Sequence, residues 1–239
     1  LHAAWGFHGK WTQRIGAVGE VVHDERNAHL LQEGNADACI QDGVAGGVRF
    51  QPLPHTGGQQ TLIIEADESK IDVPYAAALN PNSDFSVEAW ASTPLAAGNG
   101  PAEPWSIVTS RGTFTGYMFY FVPSTNGAYA QWGNAGAWTA TTYAGTNTVP
   151  RDTRHHYVMV HVLATKTTLL YIDGVQYATL AAANAFTPNA AQPFRIGSGA
   201  TEGTGNFYFN GTIDDVAFYN TALSAGVIQG HYNTGRNEL

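Results

Sequence analysis

Four groups of residues in this 239-residue chain are of types that do chemistry, and each poses a problem of spacing. Near the C-terminus, Gly211-Thr212-Ile213-Asp214-Asp215-Val216-Ala217-Phe218-Tyr219 puts two carboxylates side by side among strand-forming residues. Neighbouring side chains on a strand point to opposite faces, so the two acids are expected to diverge and the inner one to need neutralising. A second acidic group, Glu65, Asp67 and Glu68, sits in Ile63-Ile64-Glu65-Ala66-Asp67-Glu68-Ser69. Glycoside hydrolysis needs two carboxyl groups about 5–5.5 Å apart for retention or about 6.5–9.5 Å for inversion, a separation that acids two residues apart on one strand supply.

The histidines are the third group. His155 and His156 diverge if they lie on a strand, and His161, on the face of His155, is about 20 Å further along. A zinc site needs three or four ligands converging at about 2 Å, which this spacing does not suggest, so hydrogen-bonded or exposed imidazoles are expected. Cys39 is the single cysteine, which excludes an internal disulfide and leaves a buried or incidental thiol. Asn210-Gly211-Thr212 has the form of a glycan acceptor, a short motif that is more often unused. No nucleophile elbow, phosphate loop or dinucleotide fingerprint is present.

The fourth group is aromatic. Trp132 and Trp138 flank Gly133-Asn134-Ala135-Gly136, with Tyr129, Trp105 and Tyr143 close by in sequence. A sugar ring is recognised by an apolar platform for its C–H face and by amides and hydroxyls for its OH groups, roles that Asn134, Gln131, Asn206 and Tyr208 fit. If 128–133 and 137–143 pair as a hairpin, both indoles fall near its loop end. The alternative is that they fold back over the sheet as a minicore. Trp90, Phe119, Phe121, Tyr171 and Phe218 are expected in the core.

What must position these groups is a β framework. Short strand-like runs separated by turn clusters are predicted at 48–51, 61–65, 69–74, 84–92, 105–110, 117–122, 128–133, 137–143, 155–164, 167–173, 175–180, 193–197 and 207–219. Asp173-Gly174 predicts a type I′ hairpin, whose central residues need positive φ. One short helix is predicted over 222–232, with Ser224 as N-cap. Phe85, Val87 and Ala89 alternate with Ser86, Glu88 and Trp90, and Tyr157, Met159 and His161 with Val158, Val160 and Val162; alternation alone does not say which set faces inward. No linker or repeat divides the chain, so 1–239 reads as one domain.

Charged residues make up only 13% of the chain, against about 25% in soluble proteins generally, and the formal charge is −8. That balance excludes a nucleic-acid partner, which requires clustered Lys and Arg. No run reaches the ~18 apolar residues of a membrane span. The chain opens at Leu1 without a methionine or signal core, and is expected to be a processed or excised part of something longer.

Read in order, SDFSVEAWAS (83–92), SIVTSRGTFTGYMFYF (106–121), RHHYVMVHV (154–162), TLLYIDGVQYATL (168–180), FRIGSG (194–199) and FNGTIDDVAFYNTALS (209–224) resemble the laminin G-like, concanavalin A-like jelly-roll domains. HDERNAHLLQEG (23–34) resembles that family's opening loop and IIEADESKIDVPY (63–75) its following strand, while 35–60 fits poorly and is a candidate insertion. The resemblance implies an all-β sandwich of two antiparallel sheets and an extracellular or cell-surface setting. It also implies a structural calcium at Asp214, with Asp67 as a second carboxylate and Asp24 and Asn27 as weaker candidates. Glucanases of this fold carry Glu-x-Asp-x-(x)-Glu on one inner strand. Glu65, Asp67 and Glu68 depart from that spacing, and the partner segments of jelly-roll alginate lyases are missing. The expectation is therefore a noncatalytic module that binds a polysaccharide or other glycan, attached to other domains. A hydrolase or lyase on the same fold and a spacer or protein-interaction domain are the alternatives.

Overall fold

The computed structural model describes residues 2–4, 29–32, 36–41, 48–52, 60–64, 70–93, 104–139, 142–143, 149–199 and 207–236; before residue 70 and at 142–143 it gives backbone pairing. Its strands are β1 (His2–Ala4), β2 (His29–Gln32), β3 (Ala36–Gln41), β4 (Val48–Pro52), β5 (Gln60–Ile64), β6 (Lys70–Val73), β7 (Phe85–Ser92) and β8 (Trp105–Gly112). There follow β9 (Thr115–Val122), β10 (Gly127–Trp132), β11 (Thr142–Tyr143), β12 (His155–Val162), β13 (Thr167–Ile172), β14 (Val175–Ala181), β15 (Phe194–Ile196), β16 (Gly211–Tyr219) and one helix, α1 (Ala225–Gly235). They form two antiparallel sheets. The first runs β14-β13-β12-β7-β16-β5-β4 with β1 also on β16, and the second β11-β10-β9-β8-β15-β6-β3-β2. This is the expected jelly-roll sandwich. β3 and β4, drawn from 35–60, pair with β6 and β5 in the two sheets.

The core between the sheets is strongly aromatic: Phe85, Trp105, Tyr117, Phe119, Phe121, Trp132, Tyr157, Phe194, Phe209 and Phe218 are buried together. Phe85, Val87 and Ala89 of β7 and Tyr157 and Met159 of β12 face this core. The alternate residues are buried too, because α1 covers the other face of the first sheet: Val158, Val160 and Tyr171 pack there with Leu223 and Ile228. With both faces covered, the outer residues of β7 and β12 are buried whether apolar or polar, Ser86, Glu88 and His156 among them, so burial does not follow period-2 patterning.

Two local expectations hold. Asp173 and Gly174 have φ of 53° and 76°, and Ile172 pairs with Val175 across the turn. Ser224 caps α1, its Oγ accepting from the Val227 N–H at 3.3 Å, and the helix runs three residues beyond the predicted end.

α1 is held to the sheet by a polar and aromatic network. Glu88 accepts from the Tyr219 hydroxyl at 2.6 Å and meets His231 Nδ1 at 2.9 Å and His156 Nε2 at 3.3 Å. Trp90 stacks on His156 and on Tyr232 of α1, with centroids 5.0 and 5.9 Å apart.

Candidate functional site

The outer face of the second sheet is built by the alternation that fills its inner face. On β9 and β10, Phe119, Phe121, Ala128, Ala130 and Trp132 turn inward, so Met118, Tyr120, Tyr129 and Gln131 turn out. Tyr129 lies opposite Tyr120, and Tyr143 on β11 opposite Tyr129. Arg111, at the end of β8, donates to the Tyr120 hydroxyl at 3.4 Å and to the Met118 sulfur at 3.6 Å.

Two turns meet at one end of this face. Phe114, in the β8–β9 turn, has φ of 55°, and its carbonyl accepts from the Ala135 N–H at 2.8 Å in the turn after β10. Gly133 permits this approach, since a Cβ there would lie 2.1 Å from the Phe114 oxygen. Trp138 returns across the turn, bridged to Gly133, and its half-buried indole stands edge-on to Phe114 with centroids 5.9 Å apart. The Arg111 guanidinium lies over the Trp138 ring at 4.8 Å. Phe114 is 38% exposed. This indole, guanidinium and phenyl group is the strongest candidate surface among the described residues.

The predicted aromatic group is thereby divided. Trp138, Tyr129 and Gln131 share the outer face, and the backbone register places Tyr143 beside Tyr129. Trp132 and Trp105 are corrections: both are almost fully buried in the core. Trp132 shares the parity of Ala128 and Ala130, and its Nε1 donates to Thr168 Oγ1 at 2.6 Å. Trp105 packs against Phe121 and Phe209. Asn134 is committed to its turn, its Oδ1 accepting from Gly136 and Ala137 N–H at 3.1 and 2.8 Å. Gln131 Nε2 donates to the Thr139 carbonyl. Burial, then Tyr120, holds the Tyr129 hydroxyl above its usual range, against the opposing effect of Arg111, so it stays a neutral donor. Tyr208 is half-buried, and Asn206 lies outside the described residues. Sequence reasoning missed Arg111 and Phe114; the available signal was an aromatic in the Arg111-Gly112-Thr113-Phe114 turn between two strands.

The acids are placed differently from expectation. β16 shifts register against β7 between Asp214, opposite Trp90, and Ala217, opposite Glu88, and Asp215 takes a φ of 47°. This bulge overrides simple alternation and brings both carboxylates to one cation: Arg154 Nη2 is 3.3 Å from Asp214 Oδ2 and 3.0 Å from Asp215 Oδ2. Asp214 Oδ1 also accepts from the Asp215 N–H at 3.0 Å. Arg154 supplies the charge a calcium ion would, and no group of three or more His, Cys, Asp or Glu among the described residues could hold a metal. Glu65, Asp67 and Glu68, like Asp24 and Asn27, lie outside the described residues. His155 meets Asp173 Oδ2 at 2.6 Å through Nδ1 and the Pro150 carbonyl at 3.0 Å through Nε2, a hairpin clamp.

Comparison with known proteins adds the family. The model of the concanavalin A-like lectin/glucanases superfamily matches residues 65–229. No curated protein matches the sequence. Among solved structures, the chain is similar to the binding domain of botulinum neurotoxin DC in complex with rat synaptotagmin II, at 13% identity and a TM-score of 0.63, over 84% of this chain and 47% of that one. The same binding domain in complex with SialylT matches at 14% identity and 0.61, with the same coverage. This chain thus spans about half the length of those domains. Domain 4 of AbnA, an extracellular arabinanase of Geobacillus stearothermophilus, in complex with arabinotriose, matches at 16% identity and 0.59, over 81% of this chain and 87% of that domain. At these identities the structures speak for the fold. With the family model matched over more than half its length, this chain belongs to the concanavalin A-like lectin/glucanases superfamily.

Proposed function

We propose that this chain is a noncatalytic glycan-binding module, presented outside the cell or on its surface as part of a larger protein. The observation that carries the reading is the Trp138, Phe114 and Arg111 group, held by two interlocked turns with Tyr129 and Gln131 beside it. A rigid indole with nearby donors is what a sugar's C–H face and hydroxyls require, and rigidity lowers the entropy lost on binding. The likeness to the arabinanase domain, which extends over most of that domain and was solved with arabinotriose, supports the same class of ligand. Its origin in an extracellular, multidomain enzyme supports the setting.

The test is a glycan array followed by titration of the best ligand. Trp138→Ala is expected to weaken binding by about 1–3 kcal/mol while leaving the melting temperature near that of the parent. A stable, well-folded protein that binds no glycan would replace this reading with a spacer or protein-interaction role. Turnover of a polysaccharide that Glu65→Gln, Asp67→Asn or Glu88→Gln abolishes would make the domain an enzyme.

Calcium at Asp214 and Asp67 stands as a separate proposal drawn from the resemblance. It requires that calcium at 100 times its dissociation constant add about 2.7 kcal/mol to the unfolding free energy, and that Asp214→Ala remove the gain. The Arg154 ion pair leads to the opposite expectation, coincident melting curves in calcium and in chelator, because a second cation at Asp214 would be repelled by the guanidinium. Differential scanning calorimetry of protein shown metal-free by elemental analysis separates the two.

A further inference from the structure

A second aromatic group stands on the outer face of the second sheet, away from the Trp138 turn. Phe207, shortly before β16, has φ of 59°, a backbone conformation that a bulky side chain adopts only when its surroundings enforce it. Here they do. Its carbonyl accepts from the Ser106 N–H at 2.8 Å, and its half-buried ring lies against Tyr120 with centroids 5.8 Å apart. Gly199 permits this packing, since a Cβ there would stand 2.5 Å from the Tyr120 hydroxyl and 3.0 Å from the Phe207 ring. Ser106 Oγ, beside them, is buried with no hydrogen-bond partner among the described residues, although buried hydroxyls are nearly always paired. Arg111 joins the two aromatic groups: its guanidinium lies over Trp138 and donates to the hydroxyl of Tyr120, the ring that Phe207 packs against. Strand register gives their spacing. Gly133, to which Trp138 is bridged, donates its N–H to the Gly116 carbonyl, and Tyr120 stands four residues further along β9, so about 13 Å separates the two levels.

We propose that Phe207 is a second stacking position and that the ligand is an oligosaccharide chain, laid along β9 and β10 from Trp138 to Phe207, instead of a single terminal sugar. This inference rests on the glycan-binding reading above. A single sugar ring is shorter than the span between the two aromatic levels, whereas a chain covers it. Apolar C–H faces recur along such a chain between its hydroxyls, and here two aromatic faces are set apart with the polar side chains of Gln131 and Tyr129 at the levels between and beside them. Once one ring is held, contacts made further along the same chain cost little additional translational freedom, so affinity grows with chain length until both positions are filled.

Isothermal titration with a homologous series of the array's best glycan, from monosaccharide to hexasaccharide, is expected to show affinity rising with length and then levelling. Phe207→Ala is expected to weaken the longest member about tenfold and to leave the shortest unchanged, whereas Trp138→Ala weakens every member. Phe207→Tyr keeps the flat ring and is expected to bind as the parent does. Phe207→Leu, which keeps apolar bulk against Tyr120, is expected to bind as Phe207→Ala does and serves if the alanine variant unfolds. A monosaccharide bound as tightly as the hexasaccharide would overturn the proposal and leave the glycan-binding reading standing. So would long-chain binding that Trp138→Ala diminishes and neither Phe207→Ala nor Phe207→Leu affects. Binding of no glycan at all would overturn both.

Discussion

Trp132→Ala is expected to destabilise the protein by about 3–5 kcal/mol, the range for truncating a buried aromatic. That is a large share of the roughly 5–15 kcal/mol that holds a typical domain folded. The indole is 1% exposed and stands edge-on to His161 and Phe186, with centroids 5.3 and 5.9 Å apart. Truncation opens a cavity bordered by His161, whose ring nitrogens have no hydrogen-bond partner among the described residues, and it strips Thr168 Oγ1 of its 2.6 Å donor. Denaturant unfolding of Trp132→Ala beside Trp138→Ala gives the measurement: the first is expected to lower the midpoint steeply and the second hardly at all. A loss below about 1 kcal/mol at Trp132 would return that indole to the surface and to the candidate site.

Glu88→Ala is expected to cost about 3 kcal/mol, the scale for removing one partner from a buried charged network, and Glu88→Gln less. The carboxylate joins β7 to β12 through His156, to β16 through Tyr219 and to α1 through His231. His156 is 1% exposed and its Nδ1 has no partner among the described residues, so loss of Glu88 leaves neither ring nitrogen with a partner among them. Burial on its own would raise the Glu88 pKa. Hydrogen bonds from His156, Tyr219 and His231, with the charge of His156, outweigh it and leave the pKa lowered. The stability Glu88 contributes is therefore present above the ordinary carboxylate range and is lost as pH falls through its own lower value. His161 adds an earlier acid limb. Burial, offset only in part by Asp84, takes its pKa from 6.5 to about 4. The unfolded chain binds this proton first, so stability declines from pH 6.5 and levels near 4, by about 3 kcal/mol at 1.36 kcal/mol per unit. Melting followed against pH is expected to lose its upper limb in His161→Phe and its lower limb in Glu88→Gln. Curves parallel to the parent would show that neither group is linked to folding.

Some of this protein was decided within a few residues and was therefore legible in the sequence. The Asp173-Gly174 turn depends on the φ preferences of two residues, and the Ser224 cap on one hydroxyl and an N–H three residues on. Six segments standing in the order of the laminin G-like, concanavalin A-like domains were enough to indicate the two-sheet sandwich by resemblance. The inward parity of Trp132 was also available, since it follows Ala128 and Ala130 at intervals of two against Tyr129 and Gln131. Proximity to a turn concealed it.

The rest depended on what another layer places opposite. β7 and β12 are buried on both faces, and only the docking of α1 explains the second. Trp138 owes its orientation to Phe114 and Arg111, more than twenty residues earlier, because their turns exchange backbone hydrogen bonds. Asp214 and Asp215 share one guanidinium sixty residues away because β16 bulges against β7. Turn and cap preferences act over a few bonds and are written locally. Burial side, bulge position and charge partner are set by contacts between distant segments, and these exist only once the two sheets and the helix have packed.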